Sequence, residues 1–342
     1  MYYFHTSISC NLKNQLSTYS QGFMPVIIIL FLCLLTFPSF SQVGLATSNA
    51  KFEVGLNVGP MNFLGDLGGN RGKGTIGLKD NNISMTNFSI GLSGAYYPRE
   101  WWGMRIAFNW GQLEGDDRII KDQGDFEVAR KYRNITFKSP VYEGYFGVEL
   151  YPTVYISIRQ GNGIPRFRPY LLGGFGAFAF NPQGLYINDG VERWVDLNPL
   201  RLEGQGMAET GVPEYDLWSY NIPMGVGIKY DLTERLTFGI EVVHRMTGTD
   251  YIDDVSRNYI DKNLFDIYLS PEDALIAKQM ANPSQFFPGA PGYTPYRPGK
   301  NRGNSKLNDA YFSSTFRLTW KIGDIYADWF KNKRSLRCPD YF

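Results

Sequence analysis

The chain has 342 residues, with 34 lysines and arginines against 33 aspartates and glutamates, a balance that gives no support to nucleic-acid binding. Aromatics at 16% together with 37 glycines are unusual for a soluble domain. Mean hydropathy is slightly negative and no 20-residue apolar segment occurs, so helical membrane spans are excluded.

The first element in chain order is the run VIIILFLCLLTF, residues 26–37. At 12 residues it is shorter than the roughly 20 that a spanning helix needs. Ser39 and Ser41 follow at the spacing for cleavage before Gln42, so residues 1–41 are expected to be an export signal. Met24, just before the run, offers an alternative start. Cleavage leaves residues 42–342 with Cys338 as the one cysteine and His244 as the one histidine. An intrachain disulfide is thereby excluded, and most histidine-based catalytic sets and zinc sites lose their ligands. No residue set points to a cofactor.

Eight segments then alternate apolar and polar residues with period two, as strands do. They are 51–59, 86–97, 103–113, 141–151, 168–180, 219–230, 236–247 and 309–321. One face carries, for example, Phe52, Val54 and Leu56, then Met104, Ile106 and Phe108, then Met224, Val226 and Ile228. On the fifth segment it carries Tyr170, Leu172, Phe178 and Phe180, which leaves Leu171, Phe175 and Ala177 for the other face. Elsewhere that other face is polar. Four glutamates, Glu53, Glu143, Glu149 and Glu241, share it with five bases, Arg105, Lys229, Arg245, Arg317 and Lys321.

Connection lengths strengthen this pattern. Tight or medium links (PREWW, DLTER and the link after the fourth segment) alternate strictly with long ones, the last of about 60 residues. Aromatics gather at both segment ends: Tyr97, Trp101, Trp102, Tyr151, Tyr230 and Trp320 at the short-link end, and Trp110, Tyr142, Phe180, Trp218 and Tyr311 at the other. A soluble β-sandwich needs no two aromatic belts. The expected fold is an all-β, eight-stranded antiparallel up-and-down transmembrane barrel over residues 42–322, with long extracellular loops, short periplasmic turns and a periplasmic tail, 323–342. Outer-membrane lipid is its expected surrounding.

Three stretches, FEVGLNVGPMNFLGDLGG, TDYIDDVSRNY and the final RCPDYF, resemble a family of outer-membrane β-barrels from the Bacteroidota that includes PorG-like components of the type IX secretion system. The resemblance implies a barrel that contacts the periplasmic lipoprotein ring of the secretion machine. It carries over no catalytic residue.

Candidate chemistry is sparse. The inward charges are expected to pair and fill the lumen, since an eight-stranded barrel is just wide enough for side chains and an unpaired buried charge is expensive. A narrow ion path is the alternative, giving a small gated channel or uptake accessory. His244 on the seventh segment and Ser314 on the eighth could form a lipid-facing hydrolase pair. The glycine-rich GDLGGNRGKG, 65–74, lacks the phosphate-loop arrangement and reads as a surface loop. SPEDALIAKQM, 270–280, predicts a short helix capped by Ser270, followed by FFPGAPGYTPYRPGKNRG, a stretch suited to covering a surface or docking a partner. Asp250, Asp253 and Asp254 are the metal candidates, but their spacing is not that of a calcium loop. Capping turns and pairing with Arg257, Arg71 or Lys73 is the expected role of this acidic stretch. The tail is aromatic, then basic, and suits an interfacial anchor or a periplasmic contact.

Overall fold

A computed structural model describes residues 51–67, 85–119, 131, 133–188, 190–283 and 297–322. The expected export signal, the tail, Arg71, Lys73 and most of the proline- and glycine-rich stretch lie outside them.

Ten strands form in chain order: β1 (Lys51–Leu64), β2 (Asn87–Arg99), β3 (Trp102–Asp116), β4 (Thr136–Leu150), β5 (Phe167–Phe180), β6 (Gln183–Asn188), β7 (Val191–Asp196), β8 (Trp218–Asp231), β9 (Leu236–Thr247) and β10 (Ala310–Ile322). Eight of these close a barrel. Each of β1–β4 pairs antiparallel with the next, β5 pairs with β8, and β8, β9 and β10 lead back to β1. The seam joins Phe52 to Ile322 and Leu64 to Ala310. No helix among the described residues is long and apolar enough to cross a membrane.

Alternation dictates the wall. Outward positions stay exposed and apolar, as at Leu56, Leu92, Phe108, Phe146, Val226 and Phe316, while their chain neighbours are buried in the lumen. Apolar side chains in a continuous outward belt are stable against lipid rather than water. Trp101, Trp102, Tyr230 and Trp320 lie toward the short-turn end of this wall, and Trp110, Tyr142 and Trp218 toward the long-loop end. Four aromatics expected in these girdles are instead buried inside: Tyr97, Tyr151, Phe180 and Tyr311. Their places in the strand alternation, shared with Glu149 and Arg317, turn them inward.

Strand β5 reverses the predicted phase as well. Leu171, Phe175 and Ala177 face outward, while Tyr170, Leu172, Phe178 and Phe180 point in. Both parities of FRPYLLGGFGAFAF are apolar, so periodicity cannot choose between them. Register does: Leu171 pairs with Leu150 and Val226, two wall residues.

Several strands run past their predicted ends toward the long loops, β1 to Leu64, β3 to Asp116 and β4 back to Thr136. The β6–β7 hairpin, not expected from the sequence, rises from the β5–β8 connection and pairs with β4 at Phe137 and Lys138. Helix α1 (Pro152–Arg159) fills the link after β4, starting with proline at its first position. The last loop holds α2 (Asn263–Tyr268) and α3 (Pro271–Ala281). Helix α3 is the predicted one, with the Ser270 hydroxyl accepting from the Asp273 amide at 3.2 Å. Its buried Ala274, Ala277 and Met280 pack with Tyr186 of the hairpin and with Leu197 and Leu202 in a separate apolar core.

Candidate functional site

The lumen is filled in layers. Nearest the short turns, α1 buries Val154 completely among Tyr97, Tyr151, Tyr170 and Leu172. Above it Glu149 is the hub of a charge network. One of its oxygens meets Arg317 Nη1 at 2.6 Å and Arg105 Nη1 at 3.2 Å. The other meets Lys229 Nζ at 3.1 Å and accepts from the hydroxyls of Tyr151, at 2.5 Å, and Tyr97. Lys229 also reaches Glu53 at 2.9 Å, and Arg105 reaches Glu241 at 2.7 Å. The Tyr170 hydroxyl donates to Glu241 at 2.6 Å. Gly227 on β8 makes room for that tyrosine, because a Cβ there would lie 2.4 Å from its ring. At the short-turn rim Lys321 pairs with Asp231 at 2.8 Å, not with any of the four glutamates, and Arg168 joins the same carboxylate.

A second polar layer centres on Glu143. It takes Arg245 at 2.9 and 3.1 Å, with the amides of Asn109 and Asn221 at 2.7 Å each and the Tyr311 hydroxyl at 3.2 Å. The structure therefore buries all nine predicted interior charges and gives each a partner of opposite sign. Arg168, Asp231 and the tyrosines are the members that the sequence reading missed. An apolar layer follows, in which Phe63, Leu113, Phe137 and Phe178 meet Ile252 and Val255 of the last loop.

Over that layer four loops are clasped by a buried set of charges. Arg133 forks onto Asp117 at 2.8 and 3.0 Å and donates to the carbonyls of Asp66 and Arg302, both at 2.7 Å. Arg302 reaches Glu203 at 3.1 Å and the Asp254 carboxylate at 3.8 Å. Glu203 in turn accepts from the amides of Ser256, at 3.1 Å, and Arg257, at 2.8 Å. Tyr215 donates to Asp254 at 2.7 Å and stacks on Tyr251 at 4.4 Å, which puts Tyr251 in the cap rather than in a lipid girdle. Asp254 adopts φ of 60°, a left-handed conformation that aspartate tolerates better than most residues.

The acidic triplet is divided by this arrangement. Asp254 turns to Tyr215 and Arg302, whereas Asp250 and Asp253 are close enough to Asp66 and Asp309 to feel their charge. The expected pairing with Arg257 reduces to a weak attraction on Asp250. Burial, then neighbouring acids including Asp66, push the Asp250 carboxyl up to about 8. Asp253 and Asp309 are driven well above the carboxylate range by burial and by mutual repulsion with Asp66 and Asp250. For Asp254, burial raises the value to about 7 against the pull of Arg302 and Tyr215. Among the described residues no three Asp, Glu, His or Cys side chains converge as a metal-ion site.

His244 and Ser314 both lie in the outward phase. Register sets His244 opposite Phe312 and Ser314 opposite Val242, so the two are diagonal neighbours on the same face of β9 and β10, with no hydrogen bond between them among the described contacts.

No protein-family model matches the chain, and no curated protein matches it. Among solved structures it is similar to Ail, the attachment invasion locus protein of Yersinia pestis, at 8% identity, over 80% of this chain and 97% of that one, with a TM-score of 0.32. The outer membrane protein OprG from Pseudomonas aeruginosa gives 11%, 82%, 99% and 0.32 on the same measures. The outer membrane enzyme PagL gives 10%, 79%, 99% and 0.26. These are likenesses of barrel architecture alone.

Proposed function

We propose that this protein is a closed, non-enzymatic barrel of a Gram-negative outer membrane that acts as a structural and interaction component of an envelope assembly. The observation that supports this reading is the lumen itself, blocked by two ion-paired layers, an apolar layer and a clasped cap. Side chains that satisfy one another leave little room for a solute path or for a substrate.

The resemblance to Bacteroidota barrels makes type IX secretion the assembly of choice, with a periplasmic lipoprotein ring as partner and residues 1–41 as the export signal. Cross-linked pull-down from native envelopes is expected to recover a periplasmic lipoprotein. Its absence would remove the secretion role and leave the barrel standing. In planar bilayers the protein is expected to give no reproducible conductance steps. Such steps would overturn the plugged barrel in favour of a small gated channel.

A further inference from the structure

The outward wall is not uniform where β5, β8 and β9 meet. A groove of about 460 Å³ lies there, lined by Pro152 of α1 and by Leu171, Val226, Ile228, Ile240 and Val242. Register explains its shape. Leu171, Val226 and Val242 form one cross-strand row, and Ile228 with Ile240 forms the next. On the short-turn side the following outward row is aromatic, Phe167, Tyr230 and Phe238, with Phe238 stacked on Phe316 at 6.1 Å. On the other side Phe175 stacks on Tyr220 at 6.0 Å, while Gly173, between Leu171 and Phe175 along β5 and opposite Met224, has open space where a side chain would stand. Short aliphatic side chains between ring rows leave a depression, and the strand pairing holds it open without a ligand.

We propose that this groove seats one acyl chain of a phospholipid from the periplasmic leaflet. Two observations choose the occupant. The lining is continuous with the lipid-facing belt, since six of its ten residues, Pro169 and the five aliphatic ones, are outward wall positions. The groove also reaches Pro152 and Thr153 in the link after β4, at the short-turn end, where the aromatic row marks headgroup height and the β8–β9 turn carries the exposed Arg235 guanidinium for a phosphate. Preformed aliphatic walls cost the chain less ordering than a flat belt does, so this lipid exchanges more slowly than its neighbours. The inference rests on the short turns facing the periplasm of an outer membrane.

The test is native mass spectrometry of the full chain, extracted from the outer membrane of a Gram-negative host in a mild detergent. The expected spectrum shows the folded barrel carrying one phospholipid mass. Val226→Trp, which fills the groove, is expected to lower the bound fraction at least tenfold, whereas Ile106→Trp, outward on β3, leaves it unchanged. Val242→Phe replaces Val226→Trp if the latter fails to migrate as a heat-modifiable barrel. An empty wild-type barrel, a bound lipopolysaccharide or detergent mass, or a filled-groove variant that keeps its phospholipid would each overturn the assignment. Conductance in planar bilayers bears on the plugged lumen alone, so the two readings fail separately.

Discussion

The lumen network and the loop cap are both built from buried charge, yet they leave opposite atoms unmatched. In the lumen every carboxylate, from Glu53 to Glu241, has a cationic partner, and the charged atoms without a hydrogen bond are guanidinium nitrogens of Arg105, Arg168 and Arg317, beside amide atoms of Asn57, Asn87 and Asn221. In the cap the atoms left over include four carboxylate oxygens, one each from Asp250, Asp253, Asp254 and Asp309. A guanidinium is permanently charged and weakly hydrated, so a surplus of it in a dry lumen changes little with pH. A carboxylate can remove its own charge by taking a proton. The same ingredient thus gives a fixed plug in one place and a titratable clasp in the other.

Replacing the hub is the largest way to break this comparison. Glu149→Gln leaves Lys229, Arg105 and Arg317 short of a counter-charge and is expected to cost about 3–5 kcal/mol, read from urea unfolding of the barrel in detergent. A well-folded variant of unchanged stability would mean that the plug is held by packing rather than by charge.

The cap should respond to pH where the plug does not. Asp250, Asp253, Asp254 and Asp309 bind their protons more tightly folded than unfolded, so the stability they contribute is present in acid and is lost as pH rises through their folded values, about 7 for Asp254 and about 8 for Asp250. Each group that titrates in this window contributes a slope of up to about 1.4 kcal/mol per pH unit. With the intrinsic rise of amide exchange with pH divided out, the protection of residues 250–257 is expected to fall as pH rises through about 7 to 8 while strand amides keep theirs. Asp250→Asn should flatten that dependence, and equal pH response in strands and loops would erase the distinction.

Smaller changes sharpen it. Gly227→Ala drives a methyl into the Tyr170 ring and is expected to destabilise the barrel by about 1–3 kcal/mol, with no effect on loop exchange. Ser270→Ala removes the cap of α3 and should cost about 1 kcal/mol, read as faster exchange within that helix only.

What could be read from the sequence follows from which forces leave local traces. The wall was legible because lipid outside and charge inside imprint a period of two, and the interior charges fell out of the same count. Strand β5 was not, since its rings and glycines make both faces apolar. Helix α1 was absorbed into a link, its Val154, Ile156 and Ile158 being no strong helix formers, and only Pro152 hinted at a start. The cap left no local sign, for Arg133 meets the carbonyl of a residue 169 positions away. The acids at 250–254 announced themselves, while Asp66, Glu203 and Asp309, which give them their setting, did not.

The seam between β1 and β10 carries a consequence for assembly in time. All other wall neighbours are consecutive along the chain or separated only by the β6–β7 excursion, so they can zip up locally. The seam joins residue 52 to residue 322 and must wait for the rest, since closing so long a loop is entropically the hardest step. Its arrival brings Glu53 across the lumen to Lys229 and sets Arg317 against Glu149. The barrel therefore finishes its wall and its interior in one event, and an open-sided intermediate would hold Lys229 without Glu53.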